Sequence, residues 1–188
     1  MSVTKKQDVN QEDDELMMIE VKNGNLDSLV PLFDKYNVKL FNFFLHMGSK
    51  RDVAEDLTQN VFSRIIAYKH TYNENFKFRT WMYQLARNVQ IDHYHKNKLM
   101  ISEYKEVEEV GGTAADAIYE SEKKDRFDIL KDAIELLSIE DREIIELSKF
   151  QDLKYEDISK ITGNSVGAIK VRVHRAVNKL REIYFQIA

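Results

Sequence analysis

Apolar residues recur at three- and four-residue spacing through most of this chain, the pattern of helices that each bury one face. "DELMMIEVKNG" reads as a short helix stopped at Gly24, because glycine just past the last periodic residue ends a helix. A longer helix starts near Ser28 and runs through "LFDKYNVKLFNFFLHM" to a break at Gly48 and Ser49. Pro31 fits near its start, where the first turn has no internal N–H partner to lose. A third helix spans about Asp52 to Tyr68, and the polar-aromatic loop "KHTYNENFK" leads into a fourth from Phe78 to about His95.

The pattern fades at both edges of this block. Residues 1–14 are polar and aperiodic, which predicts a loose tail. Residues 99–124 are acidic, contain Gly111 and Gly112, and predict a linker with room for one short helix. Periodicity returns from Asp125, with Phe127, Leu130, Ile134 and Leu137 on one face, and Ser138 with Asp141 resembles a capping box that opens the next helix. The expected organisation is all-α: a tail over 1–14, a helical unit over 15–98, a linker over 99–124 and a second helical unit over 125–188.

The stretch "AIKVRVHRAV", Ala168 to Val177, alternates apolar and basic residues as a half-buried strand would. A lone strand leaves its backbone groups unpaired, and no nearby segment offers it a partner. At about 100° per residue, Ile169, Val173, Ala176, Val177, Leu180, Ile183 and Tyr184 form one apolar stripe that outlasts the alternation. Upstream, "YEDISKITGNS" supplies a short helix, a turn at Gly163 and an N-cap at Asn164 or Ser165. The segment therefore reads as helix-turn-helix.

Composition narrows the function. One proline and six glycines in 188 residues favour long helices, and 43% hydrophobic residues suffice for packed cores. The absence of cysteine excludes disulfides and thiolate metal sites and fits a reducing compartment. No apolar run reaches the roughly 18–20 residues of a membrane span, and the start lacks an apolar signal core, so a cytoplasmic chain without membrane insertion is expected. A net charge of −4 argues against indiscriminate nucleic-acid binding, although it hides local patches.

Three faces carry candidate chemistry. On the last helix, Gly167, Ala168 and Val171 lie outward near the N-terminal end. Lys170, His174 and Arg181 flank the stripe on one side, with Arg172, Arg175 and Lys179 on the other. This suits a recognition helix in a major groove with cations on both phosphate walls. On the helix from Phe78, the residues Arg79, Tyr83, Arg87, Gln90 and Tyr94 lie opposite the buried stripe, with His70, Tyr72, Phe76 and Lys77 just upstream. Rings interleaved with cations suit single strands, whose bases stack while cations follow the backbone. On the third helix, Phe62 and Ile66 sit among Asp52, Glu55, Asp56, Gln59 and Ser63. That face suits either a basic partner or another helix of the same unit. His93 and His95 fall about 200° apart on a helix and cannot share a metal, so no metal site or cofactor is expected.

These three segments, in this order, resemble the extracytoplasmic-function (ECF) sigma factors of the sigma-70 superfamily. "DVAEDLTQNVF" is similar to the family's polymerase-binding helix, and "FKFRTWMYQLARNVQIDHYHK" to the segment that engages and melts the promoter −10 element. "LSIEDREIIELSKFQDLKYEDISKITGNSVGAIKVRVHRAVNKLR" resembles the −35-binding region. Asn60 stands where the family has Glu, Ser138 where it has Pro, and Ala168 and Val171 where it has Thr and Ser. The resemblance implies a non-enzymatic factor that binds core RNA polymerase and promoter DNA. It assigns polymerase contacts to Asp52, Glu55, Asp56, Gln59 and Phe62. It assigns −10 contacts to Tyr72, Phe76, Lys77, Arg79, Tyr83, Arg87 and Asn88, and −35 contacts to Ser165, Lys170, Val171, Arg172, His174, Arg175, Lys179 and Arg181. The linker would run through a basic polymerase channel and couple the two DNA contacts by effective concentration. An anti-sigma factor is an expected partner, and the free chain is expected to be a monomer. A stand-alone helix-turn-helix regulator would leave the Asp52–Lys98 motifs unexplained. A nuclease built on Asp92 and its neighbouring histidines would need bound metal.

Overall fold

The computed structural model describes residues 3–104 and 126–188, with side chains described for 13–96, 126 and 128–188. Every regular element among them is helical. The first unit holds α1 (Val3–Lys22), α2 (Leu29–His46), α3 (Arg51–Tyr68) and α4 (Phe78–Tyr104). The second holds α5 (Arg126–Glu135), α6 (Ile139–Ile145), α7 (Tyr155–Thr162) and α8 (Val166–Ile187), with a π-helical turn over Glu146–Phe150 extending α6.

The breaks fall where backbone chemistry puts them. Gly24 and Gly48 carry φ of +107° and +93°, and Gly163 carries +76° in the left-handed turn that closes α7. The Ser138 hydroxyl accepts the Asp141 N–H at 3.2 Å, and the Ser165 hydroxyl accepts the Ala168 N–H at 3.2 Å. Both expected N-caps are therefore in place, and "AIKVRVHRAV" lies wholly within α8.

Two expectations change. Helix α1 begins at Val3, so most of residues 1–14 is helix rather than loose tail. Asp14 shows why this end is anchored: it is buried, accepts Lys35 Nζ at 2.7 Å and accepts the Tyr36 hydroxyl at 2.5 Å. Helix α4 also continues to Tyr104, through the first residues of the expected linker. The remainder of that linker, residues 105–125, lies outside the described residues, as does the side chain of Phe127.

In the first unit, Met18, Leu32, Tyr36, Leu40, Phe43, Val61, Ile65, Phe78 and Met82 are fully buried. In the second, Ile144, Ile158, Ile161, Ile169, Val173 and Ala176 fill the centre. The two join in one hydrophobic cluster, with α7 packed along α4. Gly48 lies beside Arg142 of the second unit, where a Cβ would meet Nη1, the far end of that flexible side chain, at 2.8 Å.

Candidate nucleic-acid and polymerase interfaces

Helix α8 presents its cations as the spacing predicts. Ile169 and Val173 point into the core, while Lys170, Val171, Arg172, His174, Arg175, Lys179 and Arg181 are exposed. Two of these are not wholly open: Asp141 at the start of α6 lies 4.0 Å from Arg172 Nε and 3.7 Å from Lys179 Nζ. His174 lies 3.1 Å from the Asn178 amide one turn on. Ser165 uses its hydroxyl on the helix cap, so it sets where α8 begins.

The α3 face separates into two layers. Asp52, Glu55, Asp56 and Gln59 are exposed, as a surface for a basic partner requires. Phe62 is not: it is 6% exposed and packs against Phe33 of α2, with ring centroids 4.7 Å apart. Hydrophobic burial against α2 explains this, and the apolar residues left open beside the carboxylates are Phe33 and Ile66. Phe33 went unnoticed in the sequence because it lies on another helix.

The face around α4 differs most from expectation. Tyr72 is buried, its hydroxyl donating to the Phe76 carbonyl at 2.8 Å and its ring 5.3 Å from Trp81. Tyr83 is also fully buried, and its hydroxyl donates to the Gln151 side-chain carbonyl of the second unit. Burial raises both phenols well above their ordinary range. These rings are therefore core anchors in this arrangement and not open stacking platforms. Phe76 stays half-exposed, with Lys160 Nζ 5.0 Å from its centroid. Lys77 pairs with Asp157 at 3.2 Å, and Arg87 Nε pairs with Glu143 at 2.8 Å. Arg79 is half-buried, and Asn88 is exposed.

A line of polar side chains that the sequence did not announce crosses the seam. His46 Nδ1 lies 2.7 Å from Glu146 Oε2, Glu146 Oε1 accepts Gln151 Nε2 at 2.8 Å, and Gln151 in turn accepts Tyr83. Glu146 and Gln151 are 1% and 5% exposed, so these two are shut off from water and each buried acceptor is satisfied, while His46 closes the open end of the line. Glu143 lies beside it, its carboxyl raised by burial against the lowering effect of Arg87.

Among the described residues no group of acidic or histidine side chains is placed to hold a metal ion, and no helix is long and apolar enough to cross a membrane.

The two units coincide with two family matches: Sigma-70 region 2 over residues 32–99, and Sigma-70, region 4 over residues 127–180. The chain is 29% identical to RNA polymerase sigma factor CarQ of Myxococcus xanthus, covering 88% of this chain and 94% of that protein. It is likewise 29% identical to ECF RNA polymerase sigma factor SigW of Bacillus subtilis, covering 87% and 92%. The sigma factor RpoE of Bartonella quintana, solved with the anti-sigma factor NepR, superposes with a TM-score of 0.67 at 27% identity over 82% of this chain and 95% of that one. The fold also matches CnrH, solved with the cytosolic domain of CnrY, at a TM-score of 0.71. With both sigma-70 regions matched in order and relatives of this class aligned along most of its length, the chain belongs to the sigma-70 family as a member of its extracytoplasmic-function class.

Proposed function

We propose that the protein acts through three surfaces. As an ECF sigma factor it is a transcription initiation factor, not an enzyme; it binds core RNA polymerase and confers promoter recognition. The carboxylates Asp52, Glu55 and Asp56, with Gln59, meet the polymerase, and Phe62 supports them from beneath by packing on Phe33. Phe76, Lys77, Arg79, Arg87 and Asn88 form the side of α4 and its preceding loop that takes the opened −10 strand, and Tyr72 and Tyr83 anchor that side from the core. Lys170, Val171, Arg172, His174 and Arg175 read the −35 duplex from α8, which Ser165 caps, while Lys179 and Arg181 take phosphates. The observation that carries this reading is α8 itself: a capped helix after a left-handed glycine turn, buried through Ile169 and Val173, with its cations outward. The anti-sigma factor bound to the Bartonella relative supports an anti-sigma partner here. The reading places a monomeric free chain in the cytoplasm, where core polymerase and promoter DNA are.

Transcription by purified core polymerase on genomic promoter fragments tests it. Start sites should depend on this protein. Arg172→Ala should weaken −35-dependent initiation while sparing core binding, and Asp56→Ala should do the reverse. Loss of both activities in both variants would remove the division of labour.

A further inference from the structure

We infer that α1 braces the loop from Tyr72 to Lys77: Glu15 and Lys22 are positioning residues that hold its two ends and so set which −10 bases it accepts. This rests on that loop being part of the −10 surface. The loop joins a short helical turn over Lys69–Thr71 to α4 and contains neither glycine nor proline. Its own bonds curl it. The Asn73 carbonyl accepts the Phe76 N–H at 2.9 Å, Asn73 Oδ1 accepts the Asn75 N–H at 3.0 Å, and the Tyr72 hydroxyl donates to the Phe76 carbonyl. Its two backbone ends are held from α1. At the start, Lys22 Nζ donates to the Tyr72 carbonyl at 3.0 Å and to Glu74 Oε1 at 3.2 Å. At the end, Glu15 Oε1 accepts the Phe78 N–H at 2.9 Å.

Helix physics explains the contact at the end. The first N–H groups of a helix have no partner within it, and that end favours negative charge. A side chain just before the helix ordinarily caps it, but Lys77 stands there and its ammonium accepts nothing. A carboxylate 63 residues upstream takes that place. Burial raises the Glu15 carboxyl, and the Phe78 bond is the largest influence lowering it. The spacing on α1 suits both tasks. Residues seven apart on a helix share a face and stand about 10.5 Å apart along its axis. Between Glu15 and Lys22, Met18 and Val21 are fully buried, and Asp14 is bonded to Lys35 and Tyr36 of α2, so α1 is fixed to the body of the unit. Lys22 has a second effect. Glu74 is the one acid of the loop and is exposed, and the pairing offsets a charge that would repel a strand's phosphates. A loop held in advance keeps the Phe76 ring and Lys77 where an unstacked base and its phosphate would meet them.

Initiation by core polymerase with the full chain, on promoters randomised at −10 and −35, tests this when the opened promoters are sequenced. Preference is a ratio among sequences, so a variant that merely lowers the amount of folded protein leaves it unchanged. Glu15→Ala and Lys22→Met should each relax the −10 preference by at least about fivefold and leave the −35 preference as in wild type. Glu15→Gln keeps an acceptor and Lys22→Arg keeps a donor, so both should restore most of the preference. Lys22 lies outside the hydrophobic core, so Lys22→Met decides the matter even where Glu15→Ala fails to fold. An unchanged −10 preference in Lys22→Met or in folded Glu15→Ala would overturn the inference. So would an equal change in the two conservative variants, or loss of the −10 and −35 preferences together. Phe76→Ala tests the −10 reading separately: an unchanged −10 preference there would sink that reading and the inference with it.

Discussion

His46 Nδ1 and the Glu146 carboxylate lie 2.7 Å apart across 100 residues of sequence, joining the end of α2 to the π turn that follows α6. Glu146 is buried and His46 is about one-third exposed, so the imidazole is the side of this contact that faces water. Removing it leaves a buried carboxylate with the Gln151 amide as its partner. His46→Ala should lower stability by about 1–3 kcal/mol, the range for orphaning a buried polar group. His46→Gln, which restores a donor, should recover part of the loss. Urea unfolding midpoints check both.

Glu143 gives the chain a pH signature. Burial raises its carboxyl above the ordinary range, while Arg87 from α4 and Arg172 from α8 pull it down and Glu140 on α6 pushes it up. A carboxyl raised in the folded state binds its proton more tightly there than in the unfolded chain. Its contribution is complete below the unfolded pKa of about 4.3 and is lost as pH rises through the raised value. Glu143→Gln should therefore flatten the decline in stability above about pH 4, measured as unfolding midpoints against pH in both proteins.

Ile169 and Val171 separate the two readings of "AIKVRVHRAV". Ile169 is 1% exposed and Val171 is 51% exposed. Ile169→Ala should cost about 2–5 kcal/mol, as for other large-to-small core changes. Val171→Ser should stay within about 0.5 kcal/mol of wild type. If the Val171 methyls meet a thymine methyl, Val171→Ser should shift the −35 preference in promoter selection, and identical preferences would discard that contact.

Ser165 holds the start of α8 through its bond to the Ala168 N–H. Ser165→Ala should destabilise the second unit by about 1 kcal/mol, and Ser165→Asp, another good N-cap, should largely preserve it. Thermal unfolding followed by helical circular dichroism distinguishes them.

Local signals were legible in the sequence and long-range ones were not. Gly24, Gly163, Ser138 and Ser165 mark helix ends through their own backbone chemistry, so neighbouring letters suffice to place them. The outward cations of α8 followed from period alone, because the stripe from Ile169 to Tyr184 leaves them one side to occupy. Tyr83 and Phe62 were misjudged for the converse reason. Their faces looked solvent-directed on their own helices, and the groups that bury them, Gln151 and Phe33, come from other elements. Lys77 with Asp157 and Arg87 with Glu143 likewise pair residues more than fifty positions apart, which periodicity cannot register.

The wide turn over Glu146–Phe150 has a consequence for insertions and deletions. Residues five apart on an α-helix point about 140° away from each other. Here the Gln151 N–H reaches back to the Glu146 carbonyl at 2.9 Å, and the two side chains meet on the same side. The seam thus depends on a count of residues as much as on their kinds. Deleting one residue between Glu146 and Gln151 would leave an i,i+4 pair, which a regular α-helix already sets within about 40° of the same side, whereas inserting one would re-aim all that follows, α7 included, by about 100°. Every carboxylate could be retained and the surface they close would still be lost.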